Sequence, residues 1–318
     1  MNPDDFWSPN EETVNSFDEL EKLMNEVFAK GPQKGRVFAW RGHVDAGWPL
    51  HSSLYRRLNW TTGRLPTERE LYRQEGSILA DLHRWGLHMT SALGRLSVLN
   101  QLATLQHYGA PTRLIDVTFN PWIGVWFAVE EKRQNGELAK ENVDGRLFAI
   151  DVTDRLINED KGLREWEDDF RRPWRIGQPD GDQGENGKEQ YQSWCTKVFA
   201  WRPPHFDGRI AAQNGGFVVG GVPMSYGPDG PNQWPKDGGS WKIDEVRQST
   251  SLSLRPNKLR VKRGKISQDA VYSIRISARA KGEIRRRLES LFGYEHRTIY
   301  PDYSGFADFG VQKLKSTP

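Results

Sequence analysis

Apolar residues recur at helical spacing through Phe17, Leu20, Leu23, Met24 and Phe28 until Gly31-Pro32 interrupts them, and Ser16 with Glu19 forms a capping box ahead of the run. The pattern predicts an amphipathic opening helix. Arg36 to Trp40 then reads as a strand that stops at Arg41-Gly42. Helical periods follow at about 67–85 and 93–108, the second ended by Gly109 and Pro111. A third helix is predicted from Asn120, a cap with Pro121 at the first helical position, to about Lys132.

Alternation or short apolar runs predict strands at 146–152, 197–201, 217–219 and 270–276. A basic helix is expected over 278–292 and a closing helix over 304–314. Two stretches, 177–192 and 220–239, are rich in Gly, Pro, Asp and Asn without a period and read as loop insertions or lids. Helices come early and strands are dispersed, so the expected class is α+β: a mixed sheet, open to being split, surrounded by helices. Residues 1–35 form an N-terminal helix packed on a domain that occupies 36–318.

Composition adds that the core is built from large rings. The chain of 318 residues is 36% hydrophobic but carries 13 Trp, 14 Phe and 9 Tyr. No run approaches the apolar length of a membrane helix, and Met-Asn-Pro-Asp-Asp lacks the basic-then-apolar order of a signal peptide, so a cytoplasmic location without membrane contact is expected. The single cysteine, Cys195, excludes internal disulfides and thiolate zinc sites and reads better as a buried thiol than as a nucleophile. His43, Asp45 and His51 match no familiar metal-ligand spacing, and no metal is expected.

Net charge is only +3, yet twelve Lys or Arg stand against Asp269 and Glu283 between Arg255 and Arg287. Clustered cations gain by releasing counterions from phosphates. Lys258, Arg260, Lys262, Arg263, Lys265, Arg285, Arg286 and Arg287 are therefore candidate nucleic-acid contacts, the alternative being a solvated face paired with the acidic stretch 130–189.

Three segments concentrate groups suited to ligand binding. In Phe38-Ala39-Trp40-Arg41-Gly42-His43 a guanidinium at a strand end offers a fixed fork for phosphate or carboxylate oxygens, and Gly42 permits close approach. The alternative is a structural salt bridge. Gln106 to Thr118 places His107, Tyr108, Thr112, Arg113, Asp116 and Thr118 around a helix end and a turn, as a site wall or as a buried network in which Arg113 pairs with Asp116. In Asp207 to Val219 the Gln213 amide could read a flat polar edge beside Phe217, although ordinary turn chemistry also explains Asn214-Gly215. No phosphate-loop, dinucleotide or nucleophile-elbow pattern occurs in these segments.

Taken in order, Phe38-Ala39-Trp40-Arg41-Gly42, Trp48-Pro49-Leu50, Ser52-Ser53-Leu54, the Gln106–Thr118 block with Asn120-Pro121, Arg209-Ile210 with Gln213 and Phe217, and Tyr300-Pro301-Asp302 with Gly305 resemble the FRG domain family. The sequence departs from that pattern at Trp40, Val117 and Asn214, the last replacing a second amide. The family recurs in bacteria and phage, and the resemblance implies a setting that includes antiphage defence. A weaker likeness to ADP-ribosyltransferases implies NAD as a substrate. It would make Arg41 the dinucleotide anchor, with Trp40 or Tyr108 as an aromatic wall, Thr112, Thr118 or His107 near the ribose, Asp116 as the acceptor and Gln213 where such enzymes often carry glutamate. Arg41, His107, Asp116 and Gln213 are thus the catalytic candidates, and Trp40, Gly42, Tyr108, Thr112, Arg113, Thr118 and Phe217 the ligand-binding ones. The other expectation is a non-catalytic module that binds nucleic acid or senses a ligand.

Overall fold

The computed structural model describes residues 2–90, 94–134, 137–157, 185–204, 208–227, 230–259 and 270–310. Its centre is an eight-stranded mixed sheet. In chain order the strands are β1 (Glu12–Val14), β2 (Phe38–His43), β3 (Ile115–Thr118), β4 (Gly145–Asp151), β5 (Phe199–Trp201), β6 (Gly215–Val219), β7 (Arg255–Pro256) and β8 (Ala270–Ile276). They lie side by side as β1-β8-β4-β2-β3-β6-β5, with β7 also on β8. β1 and β7 run parallel to β8 and the other pairs are antiparallel.

The helices are α1 (Pro3–Trp7), α2 (Phe17–Lys30), α3 (Ser53–Thr62), α4 (Glu68–Arg84), α5 (Val98–His107), α6 (Pro121–Val129), α7 (Glu185–Thr196), α8 (Gly208–Ala212), α9 (Ile243–Ser249), α10 (Ala278–Phe292) and α11 (His296–Ile299). This is an α+β fold. Strand alternation sorts side chains between the two faces of the sheet. Trp40, Leu147, Ala149, Tyr272 and Ile274 face α2, α6 and α10. Ala39, Phe148, Ile150, Ile115 and Val117 face α1, α9 and the irregular chain around Trp234 and Leu252. Phe199, Trp201, Phe217 and Val219 pack with α4, α5 and Trp194.

Helix α6 is apolar all round, as a buried helix should be. It lies unusually close to the strands. A Cβ at Gly42 would sit 2.7 Å from the Phe127 carbonyl carbon and closer still to Gly124 O and Ala128 N. Gly42 therefore admits the helix backbone, and its use is structural before it is anything else.

Several boundaries differ from the sequence expectation. β2 continues through Arg41-Gly42 to His43, because β4 supplies a partner for every residue from Phe38 to His43. Of the expected loop at 177–192, 177–184 lie outside the described residues and 185–192 belong to α7, while 220–239 contains pieces of two short hairpins, Tyr226–Gly227 with Gly230–Pro231 and Pro235–Lys236 with Gly239–Ser240. The closing helix begins as Tyr303–Gly305 and widens into a π turn over Phe306–Gly310, while 311–314 lie outside the described residues.

Candidate functional site

β2 and β3 are neighbours whose register consists of the single pair Trp40↔Thr118. β4 stays with β2 to its end, and β6 stays with β3 from Thr118 to Ile115. The sheet therefore parts beyond Trp40, and a cavity of about 300 Å³ occupies the gap. Its wall includes Trp40, Arg41, Gly42, His43 and Trp48 on one side, and His107, Asp116, Gln213 and Phe217 on the other. Glu130, Lys132, Arg209 and Tyr300 complete it.

Arg41 spans the parting. Its Nη1 donates to the Asp116 backbone carbonyl at 2.9 Å and lies 3.8 Å from the Asp116 carboxylate. That carboxylate does not seal it: the two side chains are 31% and 58% exposed, and the buried Arg41 Nε makes no hydrogen bond. Asp116 is further held by Gln106 Nε2, which donates to Oδ1 at 2.7 Å. His107 lines the same wall with its ring edge-on to Tyr108. Gln213 donates its amide N–H to the Ile299 carbonyl at 3.0 Å, so that donor serves the protein rather than a ligand edge. Phe217 stacks on Trp201 with centroids 5.8 Å apart, which fixes one ring of the wall.

The four catalytic candidates thus meet in one cavity, joined by Trp40, Gly42 and Phe217. The others do not reach it. Tyr108 points to solvent at 82% exposure and is absent from the lining. Thr112 and Thr118 are buried behind the wall: the Thr112 hydroxyl donates to Gln106 Oε1, and that of Thr118 to the Gln213 carbonyl. Arg113 is buried beneath α4, where Nε and Nη1 donate to Glu75 and Glu68 at 3.0 Å. Its carboxylate partners are these two, not Asp116. The Glu68 and Glu75 charges raise the Arg113 pKa against the opposing effect of burial, so the cation is permanent but internal.

A carboxylate that sequence reading did not single out sits in the cavity wall. Glu130 follows the last residue of α6 and is only 4% exposed. Tyr300 OH donates to its Oε2 at 3.0 Å, and Lys132 pairs with its Oε1. Burial pushes Tyr300 up to about 12, with Arg209 and Arg41 opposing, so the phenol keeps its proton and serves as a donor. Arg209 lies over the Tyr300 ring, 4.9 Å from its centroid, and grips Asp302 with two hydrogen bonds of 2.6 and 2.7 Å. The available signal was a charged residue closing a wholly apolar helix.

The basic segment divides. Arg260, Lys262, Arg263 and Lys265 lie outside the described residues. Arg285 is engaged by Glu131, Glu141 and the Val129 carbonyl. Lys258, Arg286 and Arg287 are exposed, the last lying over the Phe17 ring. Among the described residues no group of three His, Cys, Asp or Glu could hold a metal, and no helix is long and apolar enough to cross a membrane.

The mixed sheet and its parting define a protein with a ligand-sized cavity between two strand groups. The FRG domain family model matches residues 36–137. The match takes in Arg41, His43, His107, Asp116, Glu130 and Lys132, and stops before Arg209, Gln213, Phe217 and Tyr300. No curated protein and no solved structure matches the chain.

Proposed function

We propose that the cavity binds an anionic nucleotide and cleaves a glycosidic bond in it, with NAD as the substrate and ADP-ribosyl transfer or hydrolysis as the reaction. The observation that carries this is the meeting of Arg41, with an unused buried N–H, an aromatic wall and the buried Glu130 carboxylate in one space. A cavity of about 300 Å³ is at the small end for ligand sites. In this reading it takes the nicotinamide ribosyl half of the dinucleotide, with the adenosine half along the mouth.

In this reading Arg41 holds a pyrophosphate oxygen, and Trp40, Phe127 and Phe217 shelter the nicotinamide ring. The bond between the ribose anomeric carbon and the pyridinium nitrogen breaks, and its electron pair leaves with nicotinamide. Glu130 faces the positive charge that develops on the sugar, oriented by the Tyr300 hydroxyl and Lys132. An acceptor oxygen then bonds to the anomeric carbon and gives its proton to Asp116 at the exposed side of the site. The exposed Lys258, Arg286 and Arg287, none of which lines the cavity, are carried as candidate contacts for a polyanionic acceptor.

Calorimetry with NAD and chromatographic detection of nicotinamide test the reading. Arg41→Ala should weaken binding by about 1.5–3 kcal/mol, the range for hydrogen bonds to charged groups, or roughly 10- to 150-fold. Glu130→Gln should bind NAD with near-normal affinity and release nicotinamide at least 100-fold more slowly, by analogy with the loss of one transition-state electrostatic contact. Wild-type protein that neither binds NAD nor releases nicotinamide refutes the reading.

A further inference from the structure

Two buried side-chain atoms of residues that line the cavity lack the hydrogen bonds that burial ordinarily demands: Arg41 Nε and His43 Nδ1. Both belong to β2, two residues apart, and so share one face of the strand. His43 is 6% exposed, and its ring is held edge-on between Phe148, with centroids 5.4 Å apart, and Trp48 at 6.1 Å. This imidazole cannot swing away to water.

Its protonation state decides what it can offer. Burial holds the His43 pKa well below the ordinary histidine value, helped by the Arg41 and Arg146 cations and by Arg56, while hydrogen bonding with the Trp48 backbone works the other way. A neutral imidazole carries one N–H, and with that N–H on Nε2 the lone pair falls on the unpartnered Nδ1. His43 therefore adds no positive charge to the anion site beside it. Arg41 supplies a donor and His43 an acceptor, and an unprotonated phosphate oxygen can satisfy only the first.

We infer that this wall selects a ligand carrying a ribosyl hydroxyl next to its anionic oxygen, the oxygen held by Arg41 and the hydroxyl donating to His43. The inference rests on the nucleotide reading above and deepens it by making His43 a specificity-determining residue. It places sugar phosphates above inorganic anions.

Titration calorimetry of wild type, His43→Phe and His43→Gln with three probes tests it: ADP-ribose, ribose 5-phosphate and inorganic pyrophosphate. Phe keeps a ring between Phe148 and Trp48 but has no lone pair. It should weaken ADP-ribose and ribose 5-phosphate about ten-fold each and leave pyrophosphate within about two-fold, the loss expected for one neutral hydrogen bond. Gln, which keeps an acceptor, should recover part of the loss. In nitrogen-resolved NMR of the wild-type protein, ribose 5-phosphate should shift the unprotonated His43 nitrogen and pyrophosphate should not, which settles the matter should His43→Phe fail to fold. Equal losses for all three probes, or a ribose 5-phosphate affinity indifferent to His43→Phe, overturn the inference while Arg41 and nucleotide binding stand. Wild-type protein that binds none of the three overturns both.

Discussion

Gly42→Ala is the sharpest probe of how the cavity is built. Gly42 has an ordinary negative φ, so alanine is allowed by the backbone and the whole effect must come from packing. The new methyl would lie 2.7 Å from the Phe127 carbonyl carbon and nearer to Gly124 O and Ala128 N, all main-chain atoms of α6 that cannot rotate aside. Restoring ordinary contact requires the helix to lift by roughly 1 Å. Two further contacts resist that lift, since Gly124 already sits against Trp40 and Gly145 against Ala128 O. The expected cost is about 3 kcal/mol, the upper end of measured overpacking penalties. For a chain of 318 residues that is a fall of roughly 4–5 °C in melting temperature. Because Glu130 directly follows α6, the same lift should displace it from Tyr300 and, on the function proposed above, slow nicotinamide release in protein that remains folded. Differential scanning calorimetry measures the first effect and nicotinamide release the second. Gly208→Ala is the control: nothing lies within 4 Å of its added Cβ, and its melting point should not move. A Gly42→Ala protein that melts within about 1 °C of wild type would refute the close docking of α6.

Two other substitutions test what holds the site in place. Arg113→Met would leave Glu68 and Glu75 buried without their counter-charge, and urea unfolding should show a loss of about 3–5 kcal/mol, whereas a pure ligand-binding role would spare stability. His51 donates a ring N–H to the Arg247 carbonyl at 2.9 Å and is lowered to about 4 by burial, with Arg56 adding to the shift and that hydrogen bond opposing it. Below the ordinary histidine value of 6.5 the unfolded chain takes up a proton that the folded chain refuses, so this group's contribution is complete above that pH and is lost as pH falls toward about 4. Between pH 7 and pH 5 wild type should lose about 2 kcal/mol more than His51→Gln in urea titrations. Equal losses would mean that His51 is not buried as a neutral ring.

Local signals made much of this architecture legible. The capping serine before α2, the Asn120-Pro121 start of α6 and the alternation of β4 and β8 all act within a few residues, and those elements lie where the pattern puts them. Arg41, His107, Asp116 and Gln213 were legible because each stands in a polar cluster at the end of a predicted element. What was hidden depends on distant partners. Arg113 and Asp116 are close enough in sequence to suggest a pair, but the carboxylates that take Arg113 come from two turns of α4, which only the tertiary packing brings beneath it. Glu130 meets Tyr300 across 170 residues, so no spacing rule reaches it. The extension of β2 through Gly42 was likewise hidden, since a glycine after arginine reads as a break unless a helix is known to rest on it.

The lone Trp40↔Thr118 pair leaves the great sheet divided along a seam. On one bank stand β1, β8, β4 and β2, on the other β3, β6 and β5. The Arg41 side chain reaches the Asp116 carbonyl across it like a rivet. A molecule lodged there touches both banks at once, so occupancy would stiffen the joint itself, and slowed amide exchange along β2 and β3 together would report it without any chemistry taking place.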